Sequence, residues 1–417
     1  MNRFTGLFYG WRMIGASCAI RLLGGGLHAY GFTLFFLPVT QELGLTRAAT
    51  SLVFSLARAE GAIQGPLAGY YIDRFGPRPV MAFATLLAGI GYMLFAGVNS
   101  YTALLIVYMG VISLSCQAGF MDATMAVANN WFIRKRALAM SITSGSIALG
   151  GTLLTPLLAF AVHTWGWRAA SFGAGVAFLV VGLPLALTIR RSPESMGLAP
   201  DGESLPEPGA ARSAMAEARE FPLRAALRTH QFWLIALATS LRVVCMSAVL
   251  VHFVPILVWR GLTEQRAAVF LAFLALLGMP TQLLIGWLGD RIYKPRLMAI
   301  CMAVASLSLF LIFRGDIDWQ LWPALVLFSI FEGLFSVTWA TVSDFFGRRN
   351  FAKIRGGMSF LYMWGSVAGP VAAGAIYDRT QSYDGLLWGL IAVSGLTTIC
   401  YAILRPPKPL PDANQRP

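Results

Sequence analysis

The sequence predicts an all-α integral membrane protein with 12 transmembrane helices in two six-helix bundles and both termini in the cytoplasm. Three observations lead to this fold class. Only 12% of the 417 residues are charged and 57% are hydrophobic, the mean hydropathy is +0.66, and long apolar runs recur in two halves of the chain. About a quarter of the residues of a soluble protein are charged, so this composition excludes a water-soluble enzyme and a disordered chain.

Each predicted span is a mostly apolar run of roughly 20 residues or more, the length that crosses a bilayer core. In the first half the runs lie near 11–37, 47–71, 79–98, 102–131, 137–160 and 168–189. In the second half they lie near 230–257, 264–288, 296–313, 320–345, 356–377 and 384–404. We number these runs as spans one to twelve.

Basic residues set the expected orientation, because cytoplasmic loops of membrane proteins are enriched in Lys and Arg. Most of the 32 basic residues fall in alternate connections between spans, which places both termini inside the cell. These connections include Arg74, Arg78, the triplet Arg134–Lys135–Arg136 and, just before span eleven, Arg355.

A long polar segment divides the chain into halves. Residues 190–229 contain the prolines Pro193, Pro200, Pro206 and Pro208, together with six acidic residues. Such a composition is typical of a linker. The predicted organisation is a six-helix bundle over 1–189, a cytoplasmic linker over 190–229, and a second bundle with a short cytoplasmic tail over 230–417.

The two halves repeat each other. The triplet Gly44-Leu45-Thr46 recurs as Gly261-Leu262-Thr263, and Asp73-Arg74 recurs as Asp290-Arg291 at the same offset. The first of these loops reads Gly69-x-x-x-Asp73-Arg74-x-Gly76-x-Arg78. Parallel repeats of six helices are a transporter architecture, and this duplicated loop resembles that of the major facilitator superfamily.

A second motif resembles one branch of that superfamily, the monocarboxylate porters and their oxalate/formate antiporter-like bacterial relatives. It runs from Trp131-Phe132 through the basic triplet to Ala139, and then to Ser144-Gly145-Ser146 and Gly150. The motifs Trp165-Gly166-Trp167-Arg168 and Pro200-Asp201-Gly202 are similar to those relatives as well. The resemblance implies the major facilitator fold and secondary transport, with spans one, four, seven and ten lining the pathway.

Charges well inside the predicted spans, away from their ends, are the leading candidates for function, because an unpaired charge at mid-bilayer costs about 3 kcal/mol or more. They are Arg21, Arg58, Glu60, Asp122, Arg242 and Glu332. The candidate substrate-binding residues are Arg21, His28, Tyr30, Gln117, Arg242, His252 and Tyr362. Asp122 and Glu332 are the candidates for proton coupling, and Asp73, Arg74, Asp290 and Arg291 for gating.

Depth along the helices suggests which charges meet. Arg21 and Asp122 lie at similar distances from the inner ends of spans one and four, and we expect them to pair, or to share a water, in at least one state. In the substrate-free protein we expect Arg242 to pair with Glu332 or with Asp122. Tyr30 occupies the place of the lysine that the monocarboxylate porters carry late in span one, and span eight lacks their acid and arginine. The family's substrate residues therefore do not transfer to this chain.

The predicted function is secondary transport of a small organic anion, of the monocarboxylate type, by alternating access, with or without a proton. The alternative is export of a cationic or amphipathic compound by proton antiport through Asp122 and Glu332. The chain has no Walker-type loop and no HExxH motif. We therefore expect no transport driven by ATP, no enzymatic activity, no cofactor and no metal.

The expected partners are the small organic anion and membrane lipid. The formal charge of +13 is assigned to loops that face anionic lipid rather than to nucleic acid. The expected location is the cell membrane, as a multi-pass monomer of a bacterial inner membrane.

Overall fold

The computed structural model describes residues 8–202, 220–314 and 319–408. Within these ranges the chain is helical and contains no strand. It divides into two compact units. The first comprises Met1–Ala218 together with Arg348–Gly357, and the second comprises Arg219–Gly347 together with Met358–Pro417. The segment Arg348–Gly357 therefore packs with the first unit, although it lies within the predicted second bundle.

The first unit is built from the helices of spans one to six. Their α-helical parts are Tyr9–Leu23, Thr33–Glu42, Arg47–Phe75, Pro77–Phe95, Tyr101–Val107, Ala123–Trp131, Arg136–Ala177 and Leu183–Thr188. Wider π-helical turns interrupt spans one, four and six, and they are Gly24–Tyr30, Tyr108–Ser113, Cys116–Asp122 and Phe178–Gly182. Such turns are rare and often mark functional sites. Two short 3-10 turns, Pro193–Met196 and Pro200–Gly202, follow span six.

The second unit follows the same order in spans seven to twelve. After a short helix, Leu223–Ala226, its helices are His230–Val251, Phe253–Trp259, Glu264–Gly289, Lys294–Arg314, Leu321–Phe328, Ile330–Phe346, Phe351–Thr380 and Asp384–Ala402. The first residues of the helix Phe351–Thr380 belong to the segment that packs with the first unit.

In the described part of the chain, nine helices are long and apolar enough to cross a membrane, or ten if a bent pair in span one counts as one span. The count of ten is two short of the predicted twelve, and two features of the helices account for the difference. The helix of span two, Arg47–Phe75, is not among the nine. Spans five and six form one run, Arg136–Thr188, whose 53 residues would extend about 80 Å, and Gly166, at φ +79°, breaks it. The number twelve remains a prediction.

The repeated Gly-Leu-Thr triplets perform the same local task in each half. Gly44 and Gly261 adopt φ of +60° and +98°, a region that side chains disfavour. Thr46 and Thr263 then cap the next helix, each accepting a hydrogen bond from the backbone amide three residues later, at 3.1 and 3.4 Å. The triplet therefore turns the chain from one helix into the next.

Spans one and five approach so closely that side chains are excluded between them. A Cβ atom on Gly150 would lie 2.1 Å from the carbonyl oxygen of Leu22, and one on Gly26 would lie 2.4 Å from the carbonyl oxygen of Gly150. Small residues allow such backbone contact between membrane helices. Gly150, the last residue of the second sequence motif, therefore allows span five to pack closely against span one.

We expect Gly150→Ala to lower the thermal stability and the folded yield of the detergent-solubilised protein, because the new methyl group would overlap the backbone of span one. Overpacking of this kind costs about 1–3 kcal/mol. Gly173→Ala is the matched control, because no atom lies within 4 Å of its added Cβ. Equal melting temperatures for the two variants would contradict this account of the contact between spans one and five.

Candidate functional site

Arg242 is a buried cation in span seven of the second unit. It lies on the helix His230–Val251 and is 2% exposed. Its Nη1 donates a hydrogen bond to the carbonyl oxygen of Phe331 at 2.6 Å, and its buried Nε has no hydrogen-bond partner. Within the described chain no carboxylate lies within ion-pair distance of Arg242. A buried guanidinium that keeps an unused N–H group and has no carboxylate in contact among the described residues favours binding of an anion.

Glu332 follows Phe331 directly in span ten but does not pair with Arg242. Its side chain is exposed, and its Oε2 atom lies 3.5 Å from the position that a Cβ on Gly278 of span eight would occupy. Close by, the hydroxyl groups of Thr281 and Ser329 share a hydrogen bond of 2.7 Å. The expected Arg242–Glu332 pair is therefore absent among the described ion pairs of this structure, although the two groups are close enough to interact electrostatically.

Arg21 occupies the corresponding span of the first unit and is also 2% exposed. Its Nη1 donates hydrogen bonds to Thr124 Oγ1 at 2.8 Å and to the carbonyl oxygen of Met121 at 3.2 Å. Both acceptors belong to span four. Each unit thus contains a buried arginine on its first span that binds the fourth span of the same unit.

Asp122 pairs with Arg355 and not with the predicted partner, Arg21. The Arg355 guanidinium donates a short hydrogen bond to Asp122 Oδ1, and both side chains are almost fully buried. The amide of Gln117 also reaches Oδ1, at 3.3 Å. The sequence places Arg355 in the connection just before span eleven, and in the structure it lies in the second turn of the helix Phe351–Thr380, from which its side chain reaches Asp122.

The two histidines each contact a tyrosine hydroxyl within their own unit. His28, on the π-helical turn of span one, lies 3.2 Å through its Nδ1 from the hydroxyl of Tyr92 in span three. His252, at the end of the helix His230–Val251, lies 3.1 Å through its Nδ1 from the hydroxyl of Tyr383, and its Nε2 lies 3.1 Å from the carbonyl oxygen of Pro370. Both histidine side chains are half-buried.

The remaining substrate candidates are tyrosines. Tyr30, which follows the glycine-rich turn of span one, is 48% exposed and its ring covers Gly151 of span five. Tyr362 is half-buried, and its ring centroid lies 5.8 Å from that of Trp339. The side chain of Arg58, a further charge predicted within a span, lies outside the described side chains.

The first gating candidate, Asp73, binds backbone rather than arginine side chains. Its carboxylate accepts hydrogen bonds from the amides of Ala352 at 3.2 Å and Lys353 at 2.9 Å, the free N–H groups at the start of the helix Phe351–Thr380. Asp73 lies beyond the predicted end of span two. Burial raises the pKa of Asp73 to about 6, against the lowering effect of the two amides, so the carboxylate is ionised at neutral pH. An anion at this helix terminus is stabilised by the helix dipole.

The surroundings of Asp73 reinforce the same contact. Arg191 donates to the backbone carbonyl of Asp73 at 3.0 Å, and Arg74 donates to the hydroxyl of Tyr70 at 2.6 Å. The ammonium group of Lys353 lies 5.2 Å from the centroid of the Tyr70 ring. A Cβ on Gly69 would lie 2.2 Å from the carbonyl oxygen of Ala352, so the glycine of the loop motif permits this approach.

The repeated loop of the second unit has a different arrangement. The guanidinium of Arg291 lies 3.6 Å from the ring centroid of Trp287, and Lys294 forms an ion pair of 2.7 Å with Asp344. Asp290 is half-buried. The sequence repeat therefore does not produce two identical gates.

The residues that follow span six form a contact that the sequence motif did not explain. Asp201 accepts hydrogen bonds from the backbone amides of Ile133 and Arg134, both at 2.8 Å, and from that of Lys135 at 3.3 Å. Glu194 pairs with Arg348 at 2.9 Å. The motif Pro200-Asp201-Gly202 thus fixes the connection between spans four and five.

Comparison with known proteins identifies relatives over most of the chain. The family model described as Major Facilitator Superfamily matches residues 22–342 and 271–417. Human monocarboxylate transporter 11 is 27% identical over 405 residues, which cover 93% of this chain and 81% of that protein. The oxalate:formate antiporter of Oxalobacter formigenes is 26% identical over 331 residues, covering 76% of this chain and 73% of that protein. These relatives confirm the branch that the motifs suggested.

A solved structure shares the fold. The crystal structure of the human organic anion transporter MFSD10 superposes with a TM-score of 0.63 at 17% sequence identity, covering 94% of this chain and 98% of that chain. The similarity in structure supports the predicted all-helical fold. At a sequence identity of 17% it carries no information on the substrate.

Proposed function

Because the chain belongs to the major facilitator superfamily, whose members found here are membrane transporters and not enzymes, we propose that it moves a small organic anion by alternating access. A monocarboxylate is the favoured substrate, taken up together with a proton. The names of the relatives, monocarboxylate transporter and oxalate:formate antiporter, support this substrate class.

Arg242 is the observation that carries the proposal. A carboxylate that leaves water needs a compensating cation, because desolvation of an unpaired anion is prohibitive. Arg242 supplies a buried positive charge with an unused N–H group. Arg21 supplies a second buried guanidinium in the first unit, with its hydrogen bonds directed at span four. We propose that Arg242 binds the substrate carboxylate directly and that Arg21 adds positive potential to the first unit.

Binding can be tested before the substrate is known. A ligand that binds only the folded protein raises its melting temperature in proportion to the logarithm of its concentration. Pyruvate, lactate and oxalate are suitable probes, and tetraphenylphosphonium represents the organic cations of the alternative function. We expect at least one carboxylate to stabilise the wild-type protein and to lose this effect in Arg242→Gln. Stabilisation by the cation alone would favour the alternative.

The alternative, export of a cation through Asp122 and Glu332, loses support from the pairing of Asp122. An acid that binds a cationic substrate must offer its carboxylate, and Asp122 offers its own to Arg355. Of the two acids, Asp122 is buried and only Glu332 is an exposed residue.

We assign proton coupling in the second unit to Glu332 and predict that Glu332→Gln abolishes uptake of pyruvate or lactate driven by a pH gradient. Exchange of substrate across the membrane requires no net proton movement and should persist. The two activities are measured in the same proteoliposomes, by accumulation and by counterflow. Accumulation at the wild-type rate in Glu332→Gln would remove this residue from the coupling mechanism.

Asp73 is the proposed gate residue, because it holds the start of the helix Phe351–Thr380 through two amides. Asp73→Asn removes the charge, and a charge at a helix terminus contributes up to about 2 kcal/mol. We expect transport to slow by one to two orders of magnitude with normal expression. Asp378→Asn, at the exposed far end of the same helix, is the matched control. Near-normal uptake by Asp73→Asn would contradict the gate.

We retain Arg74, Asp290 and Arg291 as gating candidates because they belong to the repeated loop motif. For cellular context we infer a multi-pass monomer of the cell membrane, in a bacterial inner membrane with both termini cytoplasmic. The enrichment of Lys and Arg in alternate connections supports that orientation.

A further inference from the structure

Span two carries an acid that the proposed function does not use. Glu60 lies near the middle of the predicted run 47–71, on the helix Arg47–Phe75, and is half-buried. Leu56, four residues earlier, and Ile63, three residues later, share its helical face and are both exposed. Glu60 therefore lies where the exposed apolar face of span two meets its packed face.

One oxygen of the Glu60 carboxyl group has a hydrogen-bond donor and the other does not. Nε2 of Gln64, one turn further along the helix, donates to Oε1 at 2.7 Å. Oε2 is buried and has no hydrogen-bond partner in the described part of the chain. The hydroxyl of Ser113 in span four lies close to the carboxyl group, but it donates to the carbonyl oxygen of Ala57 at 3.3 Å.

The side-chain amide of Gln64 also has an oxygen without a donor. Gln64 is 6% exposed, and its buried Oε1 has no hydrogen-bond partner among the described residues. The two oxygens that lack a donor thus belong to two side chains that one hydrogen bond already joins. A protonated carboxyl group is a donor as well as an acceptor. One proton on Oε2 of Glu60, donated to Oε1 of Gln64, would satisfy both oxygens in the cyclic pairing that acids and amides form.

Span four brings no positive charge to Glu60. Its turns Tyr108–Ser113 and Cys116–Asp122 pack on span two, and their titratable side chains are those of Tyr108, Cys116 and Asp122. The phenol and the thiol are neutral acids, and Asp122 is paired with Arg355. Glu60 has no electrostatic partner among the described residues.

The other elements that pack on span two carry their described charges near its ends or in existing pairs. Glu42 ends the preceding helix and pairs with Arg168 at 2.9 Å, and Arg78 begins the following helix. At the start of span eleven, Lys353 lies against the ring of Tyr70, ten residues and about 15 Å along the helix from Glu60. A carboxylate at this place would therefore be an uncompensated charge in mid-membrane. Such a group takes up a proton instead of remaining ionised.

We propose that Glu60 and Gln64 form a proton-binding site in span two and that Glu60 is a carboxylic acid in this structure. Oε2 of Glu60 carries the proton and donates to Oε1 of Gln64, while Nε2 of Gln64 donates to Oε1 of Glu60. The ligand is a single proton, and its release restores the carboxylate with no other bond changed. The site lies within the first unit and depends neither on the proposed substrate nor on Glu332.

Infrared difference spectroscopy of the protein in lipid nanodiscs tests the protonation, because the carbonyl stretch of an acid is separate from the bands of a carboxylate. At neutral pH, the difference between the wild-type protein and Glu60→Gln should contain the band of a protonated carboxyl group. Glu194→Gln is the matched control, because Glu194 is exposed and paired with Arg348, and its difference spectrum should contain carboxylate bands. Carboxylate bands for Glu60 would overturn the proposal, and their appearance only with sodium would identify a sodium site instead.

The pairing with Gln64 is tested by the frequency of the same band. Gln64→Leu removes both hydrogen bonds of the acid, so the band should move to higher frequency. Gln282→Leu is the control, because Gln282 is a glutamine of similar burial, 7% exposed, in span eight of the second unit. An unchanged frequency in Gln64→Leu would overturn the pairing.

Thermal unfolding gives a second, independent test. The amide introduced by Glu60→Gln can donate to Oε1 of Gln64 and accept from its Nε2, as the protonated acid does. We therefore expect this variant to unfold at the wild-type temperature, whereas Glu60→Leu should unfold lower because it leaves the buried amide of Gln64 without partners. A loss in Glu60→Gln as large as that in Glu60→Leu would show that the negative charge is needed and would overturn the proposal.

Discussion

Arg242→Gln is expected to abolish saturable transport of organic anions, the largest functional effect that the structure predicts. Glutamine keeps a polar N–H donor on a shorter side chain at the position where Nη1 now bonds the carbonyl oxygen of Phe331 at 2.6 Å. The buried positive charge is lost. Hydrogen bonds to charged groups contribute about 1.5–3 kcal/mol, and the loss of the charge itself adds to this in a low-dielectric site.

The measurement is the concentration dependence of pyruvate or lactate counterflow in proteoliposomes. We expect no saturable counterflow in Arg242→Gln and a partial recovery of counterflow in Arg242→Lys, which restores a point charge without the planar guanidinium. Arg379→Gln is the matched control, because Arg379 is exposed at the end of a helix of the same chain half. Unchanged affinity in Arg242→Gln would remove Arg242 from the binding site.

Asp122→Asn is expected to cost about 3–5 kcal/mol of folding stability, the largest structural effect. Removal of one partner leaves the other charge buried and uncompensated, which is worse than removal of both. Arg355→Gln should therefore be similarly damaging, whereas the double variant should recover much of the loss. The reason is the burial of both side chains, whose exposures are 2% for Arg355 and 4% for Asp122.

Thermal unfolding and the yield of monodisperse protein measure this cycle. The pair Glu194–Arg348 offers a control in the same unit, because its side chains are 36% and 23% exposed. Surface ion pairs contribute about 0–1 kcal/mol, so Glu194→Gln should unfold close to the wild-type temperature. A double variant of Asp122 and Arg355 that is no more stable than either single variant would show that the two charges do not depend on each other.

Several local features of the fold could be predicted because they follow from residue type and spacing. The repeat of Gly44 to Thr46 at Gly261 to Thr263 marks a positive φ and a helix cap, and both are observed in each half. The small residues of span five indicate close packing, which the contact of Gly150 with span one shows. Each such feature depends on the types and spacing of a few residues, and these can be read directly from the sequence.

The charge partners could not be predicted in the same way. Depth along a helix suggested Arg21 for Asp122, but depth does not specify which face of each helix meets the other. Arg355 was placed in a connection because it precedes the apolar run of span eleven, although its side chain is long enough to reach a buried acid. The partners of Asp73 are backbone amides, and no residue type marks those in a sequence.

The central claim, transport of a small organic anion, is tested most directly by counterflow of radiolabelled pyruvate, lactate and oxalate into proteoliposomes loaded with the same unlabelled anion. With all ion gradients dissipated, the account predicts transient accumulation of at least one label by the wild-type protein and none by Arg242→Gln. Counterflow of tetraphenylphosphonium with no movement of any carboxylate would contradict the account and favour cation export.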